Sequence, residues 1–167
     1  MASTTRLTSS SASGEMSLHS VKAFFADRAP DIAVIETEAS SATVTEAAAA
    51  HGVDPAEIAK TICLRVGEQV LLLVAGGTSR LDNRKAREAF GGKARMLGLE
   101  EVVELTGHPI GGVCPFGLKS PLPVYCDLSL RRFPEVLPAA GATNAAVRIG
   151  SERLAELVDA IWVDVCQ

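Results

Sequence analysis

The amino-acid sequence predicts an α/β (α+β) fold, a mixed and mainly antiparallel sheet with helices packed around it. Three observations lead there. Two apolar, strand-like segments at 61–66 and 69–75 are separated only by Gly67-Glu68. A two-residue spacer that begins with glycine is a hairpin signal, and it joins antiparallel strands. Elsewhere, capped segments with helical apolar spacing are interleaved with short apolar runs, which places helices around a sheet that is not fully parallel.

Each element has its own signal. Leu18, Val21, Phe24 and Phe25 recur at helical spacing and predict a helix over 18–29, stopped near Pro30. Residues 32–36 form a short strand candidate. Thr43-Val44-Thr45-Glu46 is a capping box and opens a helix over 44–51 that Gly52 ends. Asp54-Pro55-Ala56-Glu57 supplies an N-cap, a proline at the first helical position and an acidic first turn, so a second short helix should deliver the chain to Lys60. After the hairpin, Asp82 can cap a basic helix over 83–90, which Gly91-Gly92 terminates. Residues 94–97 read as a strand, and 99–106 as a helix closed by Gly107. Pro121 and Asp127 bound a buried strand at 122–126. Residues 135–139 and 145–149 flank a glycine turn at Ala140-Gly141-Ala142, Ser151 opens a last helix to Val158, and 161–165 close as a strand.

Composition narrows the function classes. The chain has 167 residues, 47% hydrophobic, enough for one domain, placed at 18–167, with a real core. Residues 1–17 are rich in Ser and Thr and are expected to form a disordered tail without the apolar region of a secretory signal. A net charge of −4 argues against a strongly basic nucleic-acid binder but allows a local basic patch. No apolar run is long enough to span a membrane. Cys63, Cys114, Cys126 and Cys166 form no C-x-x-C pair and no zinc-ligand cluster with the three histidines. Free thiols in a reducing cytoplasm are the expectation, with no metal.

Two features carry chemistry. Gly111-Gly112-Val113-Cys114-Pro115-Phe116-Gly117 holds too many breakers for helix or sheet, so it reads as a shaped loop whose backbone groups could meet a ligand. Lys60 stands at the entrance to the most apolar run of the chain and could frame a small polar pocket with that loop. No G-x-S-x-G and no P-loop occur. His51 suits a helix C-terminus, and His108 adjoins the loop as a ligand-contact candidate. Cys114 is either a nucleophile or a packing residue, and a nucleophile would need a base or a depressed pKa. Residues 80–95, with Arg80, Arg84, Lys85, Arg87, Lys93 and Arg95, form either a solvated face or a contact for a phosphate backbone.

Ala59-Lys60-Thr61 before a strand, Ser79-Arg80-Leu81-Asp82 after its partner, Leu105-Thr106-Gly107, the 111–117 loop, Asp127 and Ala139-Ala140-Gly141 occur in a set order. In that order they resemble the YbaK/EbsC-type, prolyl-tRNA-synthetase-associated domain family over roughly residues 18–165. The resemblance implies a sheet curled into a partly closed barrel with surrounding helices. It implies trans-editing: hydrolysis of mischarged aminoacyl-tRNA, of the tRNA(Pro) type and carrying a small non-cognate amino acid such as cysteine or alanine. Mischarged tRNA and prolyl-tRNA synthetase are the implied partners, and no cofactor is implied. Lys60, Gly111 and Gly112 would carry catalysis. Thr43, Cys114, Pro115 and Phe116 would bind substrate, together with Gly117, Asp127 and Gly141. Arg80, Arg84 and Arg87 would hold the tRNA. The sequence departs from the alanyl-specific branch, because Ala139-Ala140-Gly141-Ala142-Thr143-Asn144 contains no histidine. A non-catalytic tRNA- or aminoacyl-binding module of the same fold is the alternative.

Overall fold

A computed structural model describes residues 9–167. Among these residues five helices surround the sheet: α1 (Ser9–Arg28), α2 (Val44–His51), α3 (Asn83–Phe90), α4 (Leu99–Thr106) and α5 (Ser151–Leu157). The strands are β1 (Ile35–Glu36), β2 (Ile58–Val66), β3 (Gln69–Gly76), β4 (Ala94–Met96), β5 (Val124–Asp127), β6 (Glu135–Pro138), β7 (Ala145–Ala146), β8 (Ile149–Gly150) and β9 (Ile161–Val163). The cap signals act as read. Thr43 and Asp54 each complete a capping box, and Asp82 accepts from the Arg84 and Lys85 amides.

The main sheet has seven strands in the order β8-β6-β2-β3-β5-β9, with β4 as a further partner of β2. The β2–β3 hairpin is its centre, paired from Ala59↔Gly76 to Val66↔Gln69. β4 and β8 add antiparallel pairs, whereas β6 joins β2, β5 joins β3 and β9 joins β5 in parallel. The sheet curls into a half-barrel, as expected from the resemblance. β2 is the strand on which the curl turns. On one and the same edge it pairs with β6 at Ile58 and Ala59 and with β4 at Leu64 to Val66. Between those two partners its edge is open.

The hairpin separates two apolar clusters. Cys63, Leu72 and Val74 face Val21, Phe25 and Phe116, while Leu64, Leu71 and Leu73 face Ala86 and Val165. Helix α1 seals the first cluster, with the Phe25 and Phe116 ring centroids 4.6 Å apart. A third, smaller cluster packs Ala47 and Ala48 of α2 on Ile58 and Leu137.

Several boundaries differ from the sequence reading: the strand expected at 32–36 is Ile35–Glu36, 145–149 splits into β7 and β8, and β9 ends at Val163. Two further differences bear on the site. Helix α1 begins at Ser9, so residues 9–17, expected in the tail, are helical. Ser17 is only 2% exposed because it faces buried His108, and a lone small polar residue gives no apolar periodicity to announce that contact. Residues 1–8 of the expected tail lie outside the described residues. The short helix before Lys60 is a single 3-10 turn, Pro55–Glu57, and β2 starts directly after it, so Lys60 lies within the strand and not at its entrance.

Candidate functional site

A cavity of about 270 Å3 opens at the gap in the edge of β2. The ends of the two strands that flank the gap contribute Leu137 and Met96, α2 contributes Val44 and Ala47, and the glycine loop contributes Gly111 and Val113. Every residue from Ile58 to Cys63 lines it. Consecutive residues of both parities border one cavity only where the strand presents its edge, which is what the missing partner leaves. Most of the wall is apolar, and Ser41, Thr43, Lys60 and Thr61 are its hydroxyl- and ammonium-bearing residues. The mouth carries large apolar side chains that water reaches: Met96 is 74% exposed, Leu99 66% and Ile110 43%.

Lys60, Thr43 and Gly111 thus line one cavity. The Lys60 ammonium donates to Ser79 O at 2.5 Å and to Gly77 O at 3.3 Å, two carbonyls outside the cavity wall. Burial holds its pKa below the ordinary lysine value, with Cys166 pulling the other way and Arg80 adding to the decrease. An ammonium has three donors, so one is unused among the described residues. Thr43 is also the N-cap of α2 and accepts from Glu46 N at 3.1 Å. Gly111 has φ of +90°, and a Cβ there would stand 2.7 Å from Ala42 Cβ.

Apart from Gly111 and Val113, the glycine motif does not line the cavity. Gly112 spends both backbone groups internally: its N–H donates to Pro109 O at 2.9 Å, and its carbonyl accepts from Gly141 N at 3.0 Å. It therefore has no free donor for an oxyanion. Cys114, Pro115 and Phe116 are buried. Phe116 is a core ring, against the expectation of a ligand contact, because α1 packs directly on it. Gly117 and Gly141 are small because α1 passes over them: a Cβ at either would stand 2.8 Å from a carbonyl oxygen, of Ser20 and Ser17 respectively. Asp127 is buried too, accepting from Ser129 N at 2.9 Å and Val165 N at 2.8 Å, and it ties β5 to the chain end instead of binding substrate.

The nucleophile reading of Cys114 fails on electrostatics. Its thiol is 0% exposed, and burial pushes it up to about 12. His108 does not serve as its base. The Nε2 atom lies 2.7 Å from Phe116 O, a carbonyl that can only accept, so Nε2 carries the proton and Nδ1 accepts from Ser17 Oγ at 2.5 Å. Cys114 packs beside that ring with Sγ 3.5 Å from Nε2. His108 is fully buried and does not line the cavity, so its candidacy for ligand contact ends as well.

The basic segment is not part of the cavity wall. Helix α3 covers the opposite face of the hairpin through Ala86 and Phe90, and Arg84 pairs with Glu88 at 3.5 Å. Arg80 and Arg87 are exposed and make no ion pair among the described residues. Arg80 sits in the loop that holds the Lys60 ammonium. Sequence reasoning missed Thr61, Met96, Leu99 and Ile110 as wall residues. Thr61 was within reach, since it follows Lys60 in the motif, but the other three depend on where β4 and α4 meet β2.

Comparison with known proteins places this geometry. The aminoacyl-tRNA editing domain family matches residues 38–157. The chain is 48% identical over 154 residues to the uncharacterized protein YwhH of Bacillus subtilis (strain 168), covering 91% of this chain and 98% of the relative. It is 26% identical over 117 residues to EbsC of Enterococcus faecalis, a candidate Cys-tRNA(Pro)/Cys-tRNA(Cys) deacylase, covering 68% of this chain and 71% of that one. A solved structure of a candidate trans-editing enzyme for prolyl tRNA synthetase superposes with a TM-score of 0.84 at 36% identity, covering 90% of this chain and 97% of that one.

Proposed function

This chain belongs to the aminoacyl-tRNA editing domain family, and on that premise we propose that it hydrolyses mischarged aminoacyl-tRNA in the cytoplasm, with tRNA(Pro) carrying a small amino acid of the size of cysteine or alanine as substrate. The observation that carries the reading is the cavity at the β2 gap, apolar, about 270 Å3 and bordered by Lys60 and Gly111. A synthetase pocket cannot strongly reject an amino acid slightly smaller than its own, so a second site that admits only small groups restores fidelity.

The aminoacyl group enters the cavity, and the terminal ribose stays at its mouth near Met96, Leu99 and Ile110. Water attacks the ester carbonyl. The bond from that carbon to the ribose oxygen breaks, and the ribose oxygen leaves with a proton. Negative charge builds on the carbonyl oxygen, and donors fixed in advance lower the barrier. The Gly111 N–H, which makes no backbone hydrogen bond among the described residues, is one such donor. The third Lys60 donor is the other, or it holds the terminal phosphate. A ribose hydroxyl of the substrate orients the water. Gly112 supports this site through its bonds to Pro109 and Gly141. Arg80, Arg84 and Arg87 give the tRNA body phosphate contacts outside the cavity, and prolyl-tRNA synthetase is the partner from which the substrate comes.

Release of free amino acid from mischarged tRNA(Pro), at protein well below substrate, tests the reading. Many turnovers per protein are expected. Tight binding of the tRNA without release would instead make the chain a binding module.

A further inference from the structure

Two observations meet at Thr61. The first concerns its backbone. Cys63 O accepts from Leu97 N at 3.2 Å, so Cys63 directs its main-chain groups toward the β4 side of β2. Residues two apart in a strand direct those groups the same way. The N–H and C=O of Thr61 therefore point into the gap between β6 and β4, where no strand meets them. The second concerns its side chain. The Thr61 hydroxyl oxygen is buried and has no hydrogen-bond partner. Thr61 nevertheless forms part of the cavity wall, among Ala59, Cys63 and Leu97.

A buried hydroxyl without a partner costs stability, and a methyl of the same shape would not. From its place in the wall we infer that Thr61 is the specificity residue of the cavity: its hydroxyl pairs with a hydrogen-bonding atom on the β-carbon of the bound aminoacyl group. The group the site is built for then carries a hydroxyl, as serine does, in preference to the bare methyl of alanine. The main chain of the same residue lies open toward the same opening, where its C=O can accept from the substrate ammonium. One staggered step about χ1 carries the Thr61 hydroxyl into the place its methyl holds, while the methyl moves on to the place of the β-hydrogen, so the hydroxyl can turn to the ligand without movement of the strand. The inference rests on the deacylase reading and adds the class of side chain.

The test uses the full chain and tRNA(Pro) charged with serine or with alanine, in single-turnover hydrolysis at subsaturating protein. Wild type should release serine about tenfold faster than alanine or more, the scale on which a pocket discriminates one small group. Thr61→Val should bring the two rates within about twofold, and Thr61→Ser should restore the preference. The melting temperature of Thr61→Val should equal or exceed that of wild type, because an unpaired hydroxyl is removed. A Thr61→Val protein that keeps the wild-type preference, a wild type that prefers alanine, or a Thr61→Val protein that melts lower would each overturn the inference while the deacylase reading stands. Absence of hydrolysis of either substrate by wild type would overturn both.

Discussion

Ser17 and His108 lie 91 positions apart in sequence and 2.5 Å apart in space, Ser17 Oγ against Nδ1, in the interior between α1 and the glycine loop. The bond fixes the imidazole as the neutral Nε2–H form, because Nε2 must donate to Phe116 O. Through that ring, α1 holds the loop that carries Gly111.

The pH dependence follows in sign. Burial lowers the His108 pKa below its ordinary 6.5, outweighing the Phe116 hydrogen bond, which raises it. Above that value neither folded nor unfolded chain is protonated at this site, and its contribution to stability is complete. Below it the unfolded chain takes up a proton that the folded one refuses, so stability falls as pH falls. His51, also lowered by burial, acts in the same direction. Thermal melts between pH 8 and pH 5 should show a decreasing melting temperature below about 6.5. Nitrogen NMR should find the His108 midpoint below that of an ordinary histidine; an ordinary midpoint would contradict the buried network.

Gly112→Ala should destabilise the fold by about 1–3 kcal/mol, the cost of overpacking a tight contact. A Cβ at Gly112 would stand 2.7 Å from Ala142 N and 2.9 Å from Ala142 Cα, and backbone cannot swing aside as a side-chain end can. Denaturant midpoints measure the loss. An unchanged midpoint would mean that the 109–112 turn moves freely against 140–142.

Neutralising Arg84 and Arg87 together should weaken tRNA binding and flatten its dependence on salt. For each phosphate no longer neutralised by an arginine, the slope on a logarithmic plot falls by roughly one unit. Binding titrations over a range of salt read both quantities. Equal affinity and equal slope would make α3 a solvated face.

The elements were legible wherever the signal is local. The glycine-led spacer marked the hairpin, and Thr43, Asp54 and Asp82 marked three helical starts through the hydrogen bonds their side chains make. Lys60 and Gly111 as wall residues were also legible, from one strand and one breaker-rich loop. The loop from Cys114 onward was not, since reading 111–117 as one ligand-facing unit ignores that Cys114 is buried and that α1 covers Phe116 and Gly117. The β2 gap depends on β6 and β4 stopping at Ala59 and Leu64, a matter of register between distant segments. The start of α1 at Ser9 escaped notice because its first turns carry no apolar stripe.

The charge of Lys60 is the central claim. Its stem lies in β2, and its ammonium is held by Gly77 and Ser79 with one donor to spare. The decisive measurement is single-turnover hydrolysis of mischarged tRNA(Pro) by Lys60→Ala, with circular dichroism as the folding control. The account predicts a folded protein slower by about 10²-fold or more, the scale of removing one electrostatic stabiliser. Lys60→Arg should recover little, because a planar fork does not replace a compact ammonium. A folded Lys60→Ala that hydrolyses at the wild-type rate would contradict it.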